Sequence, residues 1–247
     1  AEDAAADYIE YVMSTADVRF DGMKIALDCA NGSASETAKV LFTMLGAEVS
    51  VLADRPNGVN INDSCGSTHM ENLQRFVREN GLDGGFAFDG DADRCLAVDE
   101  NGEIIDGDKI IAICALDMKE RGCLRQNKAV VTVMSNMGFF KFAEEYGISV
   151  EKTKVGDRYV LECMKEHDLS IGGEQSGHVI FHDFARTGDG QLTAVQLLCA
   201  VRRTGAKFSE LASIMNVYPQ VLVNIVVDND KKEFLFEDED IKKVIFD

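Results

Sequence analysis

Three aspartates at alternate positions, Asp89, Asp91 and Asp93, form the most distinctive candidate for a metal-binding site in this sequence. They follow an apolar run over 84–88 that predicts a buried strand, so the carboxylates would share one tight loop, residues 89–94, called here the acidic loop. Like charges this close raise one another's pKa values unless a cation lies between them. Because carboxylate oxygens suit hard divalent ions, the loop predicts a Mg²⁺ or Ca²⁺ site rather than a solvated acidic turn.

Three kinds of site could use the acidic loop. A calcium-binding EF-hand would use the three aspartates and Glu100, but Arg94 replaces the glycine that this motif requires, and the flanks read as strands. A phosphatase with an aspartate nucleophile needs Thr or Val where this chain has Asp93. In phosphoryl transfer, all three aspartates would hold Mg²⁺ and Arg94 would contact a phosphoryl oxygen, since a bridging cation neutralises charge in that reaction.

Composition limits the classes of protein and partner. The chain has 247 residues, of which 46% are hydrophobic, enough for two compact domains. A formal net charge of −18 argues against nucleic acid and anionic membranes as partners, and no apolar run approaches the roughly 20 residues that span a bilayer. Seven scattered cysteines without a Cys-x-x-Cys pair predict reduced thiols, and the first residues lack the order of a signal peptide, so we expect a cytoplasmic protein.

Each half of the chain is predicted to contain the same elements: strand, helix, strand, helix, strand, hairpin strand and helix. The first set lies over 23–29, 35–45, 47–52, 70–80, 84–88, 95–99 and 106–119. The second set lies over 128–134, 137–146, 148–152, 158–167, 169–172, 179–181 and 187–202. This order predicts an internal duplication: two α/β domains with mixed, mainly parallel sheets. Two unrelated βαβ units are the alternative.

Two loops at corresponding places of these halves carry a family resemblance. Phe88-Asp-Gly-Asp-Ala-Asp-Arg94 and Gly172-Gly-Glu-Gln-Ser-Gly-His178 each follow the third strand of their half. With them, the chain resembles the α-D-phosphohexomutase superfamily over essentially its whole length. The supporting segments are Cys65-Gly-Ser-Thr-His69, Val133-Met-Ser-Asn136 and Val155-Gly-Asp-Arg-Tyr159.

The resemblance implies a fold of two central phosphohexomutase domains and a role for each matching residue. The implied Mg²⁺ ligands are Asp89, Asp91 and Asp93, with Arg94 orienting a phosphoserine or the substrate phosphate. The implied sugar-binding residues are Glu174, Ser176, His178 and Arg158. A carboxylate next to a hydroxyl suits a pair of adjacent sugar hydroxyls. Without that context, Glu174 reads as a turn cap, His178 as a strand-start residue with satisfied hydrogen bonds, and Asp157 as a helix N-cap.

The implied activity moves a phosphoryl group between two positions of a hexose phosphate, through a phosphoserine and a bisphosphate intermediate. With Gln175 in its Glu-x-Ser-Gly-His loop, the chain most resembles the branch of the superfamily that interconverts glucosamine 6-phosphate and glucosamine 1-phosphate. Mannose or glucose phosphate is the alternative substrate. A non-catalytic module that binds a divalent metal or a sugar phosphate is the alternative outside the enzymes. A homodimer of the intact protein is left open.

Two loops of that superfamily find no counterpart in this sequence. No segment fits its Ser-His-Asn-Pro phosphoserine loop, since Met70 follows Ser67-Thr-His69, and none fits its Arg-x-Ser-Gly-Thr phosphate-binding loop. We therefore expect the chain alone to be inactive. The expected segments are the tail of a preceding domain over 1–17, a metal-binding domain over 18–120, a sugar-binding domain over 121–217, and the start of a further domain over 218–247 with a strand at 221–227 and a helix at 239–245.

Overall fold

The computed structural model describes residues 3–221, 234, 237 and 239–246, with only the backbone of 240 and 244–246. Its first half forms a five-stranded sheet in the order β2-β1-β3-β4-β5. The elements are α1 (Ala4–Ser14), β1 (Lys24–Asp28), α2 (Ala34–Met44), β2 (Glu48–Leu52), α3 (Glu71–Asn80), β3 (Gly84–Phe88), β4 (Cys95–Asp99) and β5 (Ile104–Ile105). β1 pairs in parallel with β2 and β3, and β4 is antiparallel to β3 and β5.

The second half forms a four-stranded sheet with the same connectivity, in the order β7-β6-β8-β9. Its elements are α4 (Gly107–Glu120), β6 (Lys128–Thr132), α5 (Met137–Glu145), β7 (Ser149–Thr153), α6 (Asp157–Glu166), β8 (Ile171–Gly173), β9 (Val179–Phe181), α7 (Gly190–Thr204) and α8 (Phe208–Ala212). β6 is parallel to β7 and β8, and β9 is antiparallel to β8. The predicted fold class, two duplicated α/β units with mixed, mainly parallel sheets, is confirmed.

A few elements differ from the sequence expectation. The short helix α8 and a 3₁₀ turn over Arg125–Asn127 were not predicted. β8 begins at Ile171 rather than at residue 169, because the chain is still leaving a turn at Asp168, whose φ is 50°. The helix expected near 239–245 is confirmed as α9 (Glu239–Phe246), whereas the strand expected over 221–227 lies almost entirely outside the described residues.

Two nearly buried helices join the halves. In α4, 10 of 14 residues are buried, and in α7, 12 of 15, the pattern of a helix enclosed by protein rather than lying on a surface. α4 packs against β4 and β5 of the first sheet and against β6 and β8 of the second, while α7 packs against β3, β4 and β9. The predicted domain limits stay predictions, since α4 contacts both sheets.

One hydrophobic core continues through both halves. Phe86 of β3 stacks on Phe42 of α2, with ring centroids 6.2 Å apart, and meets Phe208 of α8 edge-on at 5.9 Å. The same cluster extends through α4 and α7 to Phe139 and Phe181 in the second half. Because a close-packed core resists small displacements, it fixes the position of one sheet relative to the other.

The N-terminal helix packs onto this body. Val12 of α1 is fully buried, and α1 contacts α2 and α7. The Tyr8 hydroxyl donates a 2.8 Å hydrogen bond to Asp189, the N-cap of α7. All seven cysteines lie in the described residues, and none forms a disulfide. No helix in the described part of the chain is long and apolar enough to cross a membrane.

Candidate functional site: two loops at adjoining sheet edges

The acidic loop lies immediately after β3, at the carboxyl end of the parallel strands. Carboxylate oxygens of Asp89, Asp91 and Asp93 lie within 4.8 Å of one another. Asp89 and Asp93 are half-buried, while Asp91 is exposed. The structure therefore brings together the three carboxylates that the sequence singled out, around a space that one cation could fill.

Main-chain hydrogen bonds shape the acidic loop. Ala92 adopts a φ of 59°, its N–H donates to the Asp89 carbonyl at 3.1 Å, and the Arg94 N–H donates to Asp89 Oδ1 at 3.1 Å. Two helix N-termini also donate into the loop: Ser33 N–H to the Gly90 carbonyl and Gly190 N–H to the Ala92 carbonyl, both at 2.9 Å. Because helix N-termini carry partial positive charge, α2 and α7 stabilise a loop that is strongly negative.

The carboxylates remain under electrostatic strain despite this support. The pKa of Asp89 is raised to about 6, first by burial and then by the charges of Asp93 and Asp91, while the Arg94 N–H opposes the shift. The exposed Arg94 guanidinium gives little relief, since its Nε is 3.8 Å from both Asp89 and Asp93. A divalent cation would remove the repulsion, so this all-oxygen donor set fits Mg²⁺.

The loop over 173–178, at the corresponding edge of the second sheet, is closed by its own backbone. Glu174 N–H donates to the His178 carbonyl and Gly177 N–H to the Glu174 carbonyl, each at 3.0 Å. One Glu174 oxygen accepts a 2.9 Å hydrogen bond from Gly156 N–H, which ties the 155–159 segment to this loop. Ser176 is exposed. Glu174 thus caps a neighbouring turn, as expected for this residue without the family resemblance. It also lies in the loop to which the resemblance assigns sugar binding.

Two residues of the 155–159 segment differ from expectation. Gly156, not Asp157, is the N-cap of α6, and Asp157 is the first helical residue, so the N-cap interpretation of Asp157 is wrong. Arg158 is 80% exposed and pairs with Glu162 one turn along the same helix at 2.7 Å. The structure places Arg158 near the 173–178 loop through Gly156 but records no contact between the Arg158 side chain and Glu174. Its contact with a sugar stays a prediction.

His178 lies between the two loops rather than at their surface. Its side chain is 4% exposed, and its Nδ1 is 3.1 Å from Asp93 Oδ2. Its Nε2 accepts a 3.0 Å hydrogen bond from Gly188 N–H. The reading of His178 as a residue with satisfied hydrogen bonds therefore holds, but its partner is a candidate metal ligand of the other half. Its predicted contact with a sugar stays a prediction.

Further contacts bind the loops together, and sequence reasoning missed them. Cys95 N–H donates to the Gly177 carbonyl, and Gly107 N–H at the start of α4 donates to the Gln175 carbonyl, both at 3.0 Å. Gln175 Nε2 donates to Asp106, the N-cap of α4, at 3.2 Å. Both helices begin at a similar sequence, Asp106-Gly-Asp108 for α4 and Gly188-Asp-Gly190 for α7, and this recurrence is the sequence signal that points to these contacts.

Open space adjoins both loops. A cavity of about 520 Å³ lies beside the acidic loop and is lined in part by Asp91, Asp93 and Thr37. Another of about 700 Å³ lies beside Gln175 and Asn136. The two loops therefore border space large enough for a small polar ligand.

Both halves of the chain match domains of a known protein family. Residues 6–102 match the model of the phosphoglucomutase/phosphomannomutase α/β/α domain II, and residues 106–218 match that of domain III. A phosphoglucosamine mutase from Ruminiclostridium cellulolyticum is 54% identical over 98% of this chain and 54% of its own length. One from Caldanaerobacter subterraneus is 56% identical over 97% of this chain and 54% of its own. The chain thus spans about half the length of these curated relatives.

Solved structures share the fold. A phosphoglucomutase/phosphomannomutase family protein from Burkholderia thailandensis matches with a TM-score of 0.76 and 28% identity, over 86% of this chain and 46% of that one. An N-acetylphosphoglucosamine mutase from Aspergillus fumigatus, solved with GlcNAc-6P and magnesium, matches with a TM-score of 0.69 and 20% identity, over 87% of this chain and 49% of that one. With both domain models matched along its length, this chain belongs to the phosphoglucomutase/phosphomannomutase family.

Proposed function

We propose that this chain forms the metal-binding and sugar-binding centre of a phosphoglucosamine mutase, which interconverts glucosamine 6-phosphate and glucosamine 1-phosphate. One observation carries the proposal: three carboxylates suited to Mg²⁺ and the 173–178 loop meet at one place, joined by the Cys95–Gly177 and His178–Asp93 hydrogen bonds. Eight curated relatives that are 53–56% identical are phosphoglucosamine mutases, which supports the choice of substrate.

In this proposal Asp89, Asp91 and Asp93 hold Mg²⁺, which when bound neutralises charge on the phosphoryl group that is transferred. Arg94 extends from the same loop with its side chain exposed and in long, 3.8 Å ion pairs with Asp89 and Asp93, so its guanidinium can also bind a phosphate oxygen. Hydrogen bonds donated by backbone N–H groups at the starts of α2 and α7 hold the loop in its shape before any ligand binds. This preorganisation is what electrostatic catalysis of phosphoryl transfer requires.

Glu174 and Ser176 bind adjacent hydroxyls of the sugar, with Arg158 at the edge of the same region. The Glu174 oxygen that accepts from Gly156 is fixed in place, so the carboxylate can present its other oxygen to a hydroxyl without searching for a rotamer. A bisphosphate intermediate must react in two orientations, and a carboxylate beside a hydroxyl recognises a vicinal pair from either end.

Gln175 is held against the start of α4. Its main-chain carbonyl accepts from Gly107 N–H, and its side-chain Nε2 donates to Asp106, so these contacts shape the loop and do not by themselves select an amino sugar. The preference for an amino sugar therefore rests on the curated relatives. The alternative activity, on mannose or glucose phosphate, is supported by the names of the two family models and of the 28% identical solved structure.

A chimeric enzyme tests the proposal. Residues 3–221 of this chain would replace the corresponding segment of the R. cellulolyticum phosphoglucosamine mutase, which is 54% identical over this region. We expect Mg²⁺-dependent activity with a preference for glucosamine phosphate, none in the Asp91→Asn chimera, and none from the 247-residue chain alone. A preference for mannose or glucose phosphate would establish the alternative activity. A folded but inactive chimera would favour a non-catalytic binding module.

A further inference from the structure

We propose that His178 is a positioning residue for the metal site: as a neutral imidazole protonated at Nδ1, it holds one oxygen of Asp93 and leaves the other for the cation. The inference rests on the proposed metal role of the acidic loop. It assigns His178 to the carboxylate of the first half, not to the sugar.

The hydrogen bonds determine which ring nitrogen carries the proton. Gly188 N–H can only donate, so the Nε2 atom that lies 3.0 Å from it must present a lone pair. In a neutral imidazole the proton is then on Nδ1, which lies 3.1 Å from Asp93 Oδ2 and donates to it. The second nitrogen thus sets the tautomer, as backbone and carboxylate partners commonly do for histidines near metal ions.

Packing keeps the ring in this orientation. A Cβ at position 188 would lie 2.5 Å from Cε1 and 2.6 Å from Nε2 of His178, so the imidazole rests directly on the Gly188 backbone. The residue is also enclosed, with 4% of its side chain exposed. A rotation that carried the ring toward the 173–178 rim would break two buried hydrogen bonds, each of which is costly to leave unmade.

The hydrogen bond from His178 engages one oxygen of Asp93 and leaves the other for a cation. Asp93 Oδ2 lies within hydrogen-bond distance of His178, while Oδ1 has the longer 3.8 Å approach of Arg94. One Asp93 oxygen lies within 4.8 Å of carboxylate oxygens of Asp89 and Asp91, so the oxygen that His178 does not hold is the one offered to a cation. The backbone of His178 meanwhile closes the 173–178 loop by accepting from Glu174 N–H. One residue therefore fixes a ligand of the cation and the shape of the other loop.

Metal binding and nuclear magnetic resonance test this assignment on the 247-residue chain. Mn²⁺, followed by electron paramagnetic resonance, serves as the probe of the Mg²⁺ site. In His178→Asn the amide nitrogen can replace Nδ1 as the donor to Asp93, whereas His178→Gln places its amide near Nε2 and His178→Ala offers neither. His182→Asn, four residues along the chain, is the matched control.

We expect Ala and Gln to weaken Mn²⁺ binding roughly tenfold or more, and Asn and the control to stay within about twofold of wild type. Wild-type affinity in His178→Ala would overturn the assignment, as would a loss in His178→Asn equal to that in Ala. The ¹⁵N shifts of the metal-free ring should show an unprotonated Nε2, and a proton on Nε2 would also overturn it. Absence of Mn²⁺ binding by the wild type would instead count against the proposed metal site, with the ring shifts still deciding the tautomer.

Discussion

The acidic loop and the 173–178 loop occupy equivalent places but differ in how their polar groups are compensated. Each follows the third strand of its half, β3 or β8, and each is held by the N-terminal residue of a long helix, Gly190 or Gly107. In the acidic loop, burial and then the charges of Asp93 and Asp91 raise the pKa of Asp89 to about 6. In the 173–178 loop the main-chain groups form hydrogen bonds with one another, and the Glu174 carboxylate accepts a hydrogen bond from Gly156 N–H.

The comparison shows that the duplicated scaffold and the chemistry of each loop are separable. The same strand, turn and helix supply the same position, while under the proposed function the side chains of one loop bind a cation and those of the other bind adjacent sugar hydroxyls. A loop that is destabilised without its ligand binds that ligand strongly, because binding relieves the repulsion. A loop whose polar groups already form hydrogen bonds gains less free energy from its ligand, and its role is to orient that ligand.

The sharpest test of this difference removes a carboxylate from the acidic loop. We expect Asp91→Asn to weaken Mn²⁺ binding by roughly 100-fold, since a ligand loss should exceed the effect of losing an outer partner. Glu174→Gln, in the other loop, should leave the affinity unchanged. Calorimetric or resonance titrations would show this, with circular dichroism confirming the fold. Equal losses in both variants would contradict the separation of roles.

The converse test addresses the 173–178 loop. In the chimera, Glu174→Gln should lower kcat/KM by roughly 30-fold, since a hydrogen bond to a charged group contributes about 2 kcal/mol. Its amide oxygen can still accept from Gly156 N–H, so the loop should keep its shape. Unchanged kcat/KM would exclude Glu174 from substrate binding. Glu166→Gln, an exposed residue in the last turn of α6, is a suitable control.

The equivalence of the two helix starts can be tested with alanine. A Cβ at Gly107 would lie 2.1 Å from the Glu174 carbonyl, and one at Gly190 would lie 2.4 Å from the Arg94 carbonyl. Each substitution should lower the free energy of unfolding by about 2 kcal/mol, measured by urea denaturation. Only Gly190→Ala should also weaken Mn²⁺ binding. If both did so, or neither lost stability, the loops would not be held independently in this way.

The pH dependence of metal binding gives the smallest effect. A proton competes with the cation for Asp89, whose pKa is raised to about 6, so Mn²⁺ affinity should fall roughly tenfold between pH 7 and pH 5. Without metal the sign reverses for stability: the folded state holds this proton more tightly than the unfolded state, so Asp89 makes the chain less stable as pH rises from about 4 to 6.

Asp108 is a second buried carboxyl with a pKa raised to about 6, so the stability effect must be separated by variant. Asp89→Asn should flatten the pH dependence of Mn²⁺ binding, whereas Asp108→Asn should leave it intact. A metal affinity that stays constant down to pH 5 in the wild type would show that Asp89 is not a ligand.

Most of the fold could be read from the sequence because it depends on local periodicity. The buried strands, the helix limits and the duplicated order follow from apolar spacing and turn residues, and the sheets confirm them. The error at Asp157 arose because N-cap preference cannot decide between adjacent residues when a glycine precedes the aspartate. The helix α8 was missed because it is only five residues long.

From the sequence alone it follows that three carboxylates share a turn after a buried strand and that a second loop occupies the matching place in the other half. Both facts follow from alternation and spacing along the chain. The folded structure was needed to show that His178 contacts Asp93, that Gly107 and Gly190 donate hydrogen bonds to the loops, and that Gln175 contacts the start of α4. These are contacts between residues far apart in the chain, and they depend on how the shared core seats one sheet against the other, which no local pattern encodes.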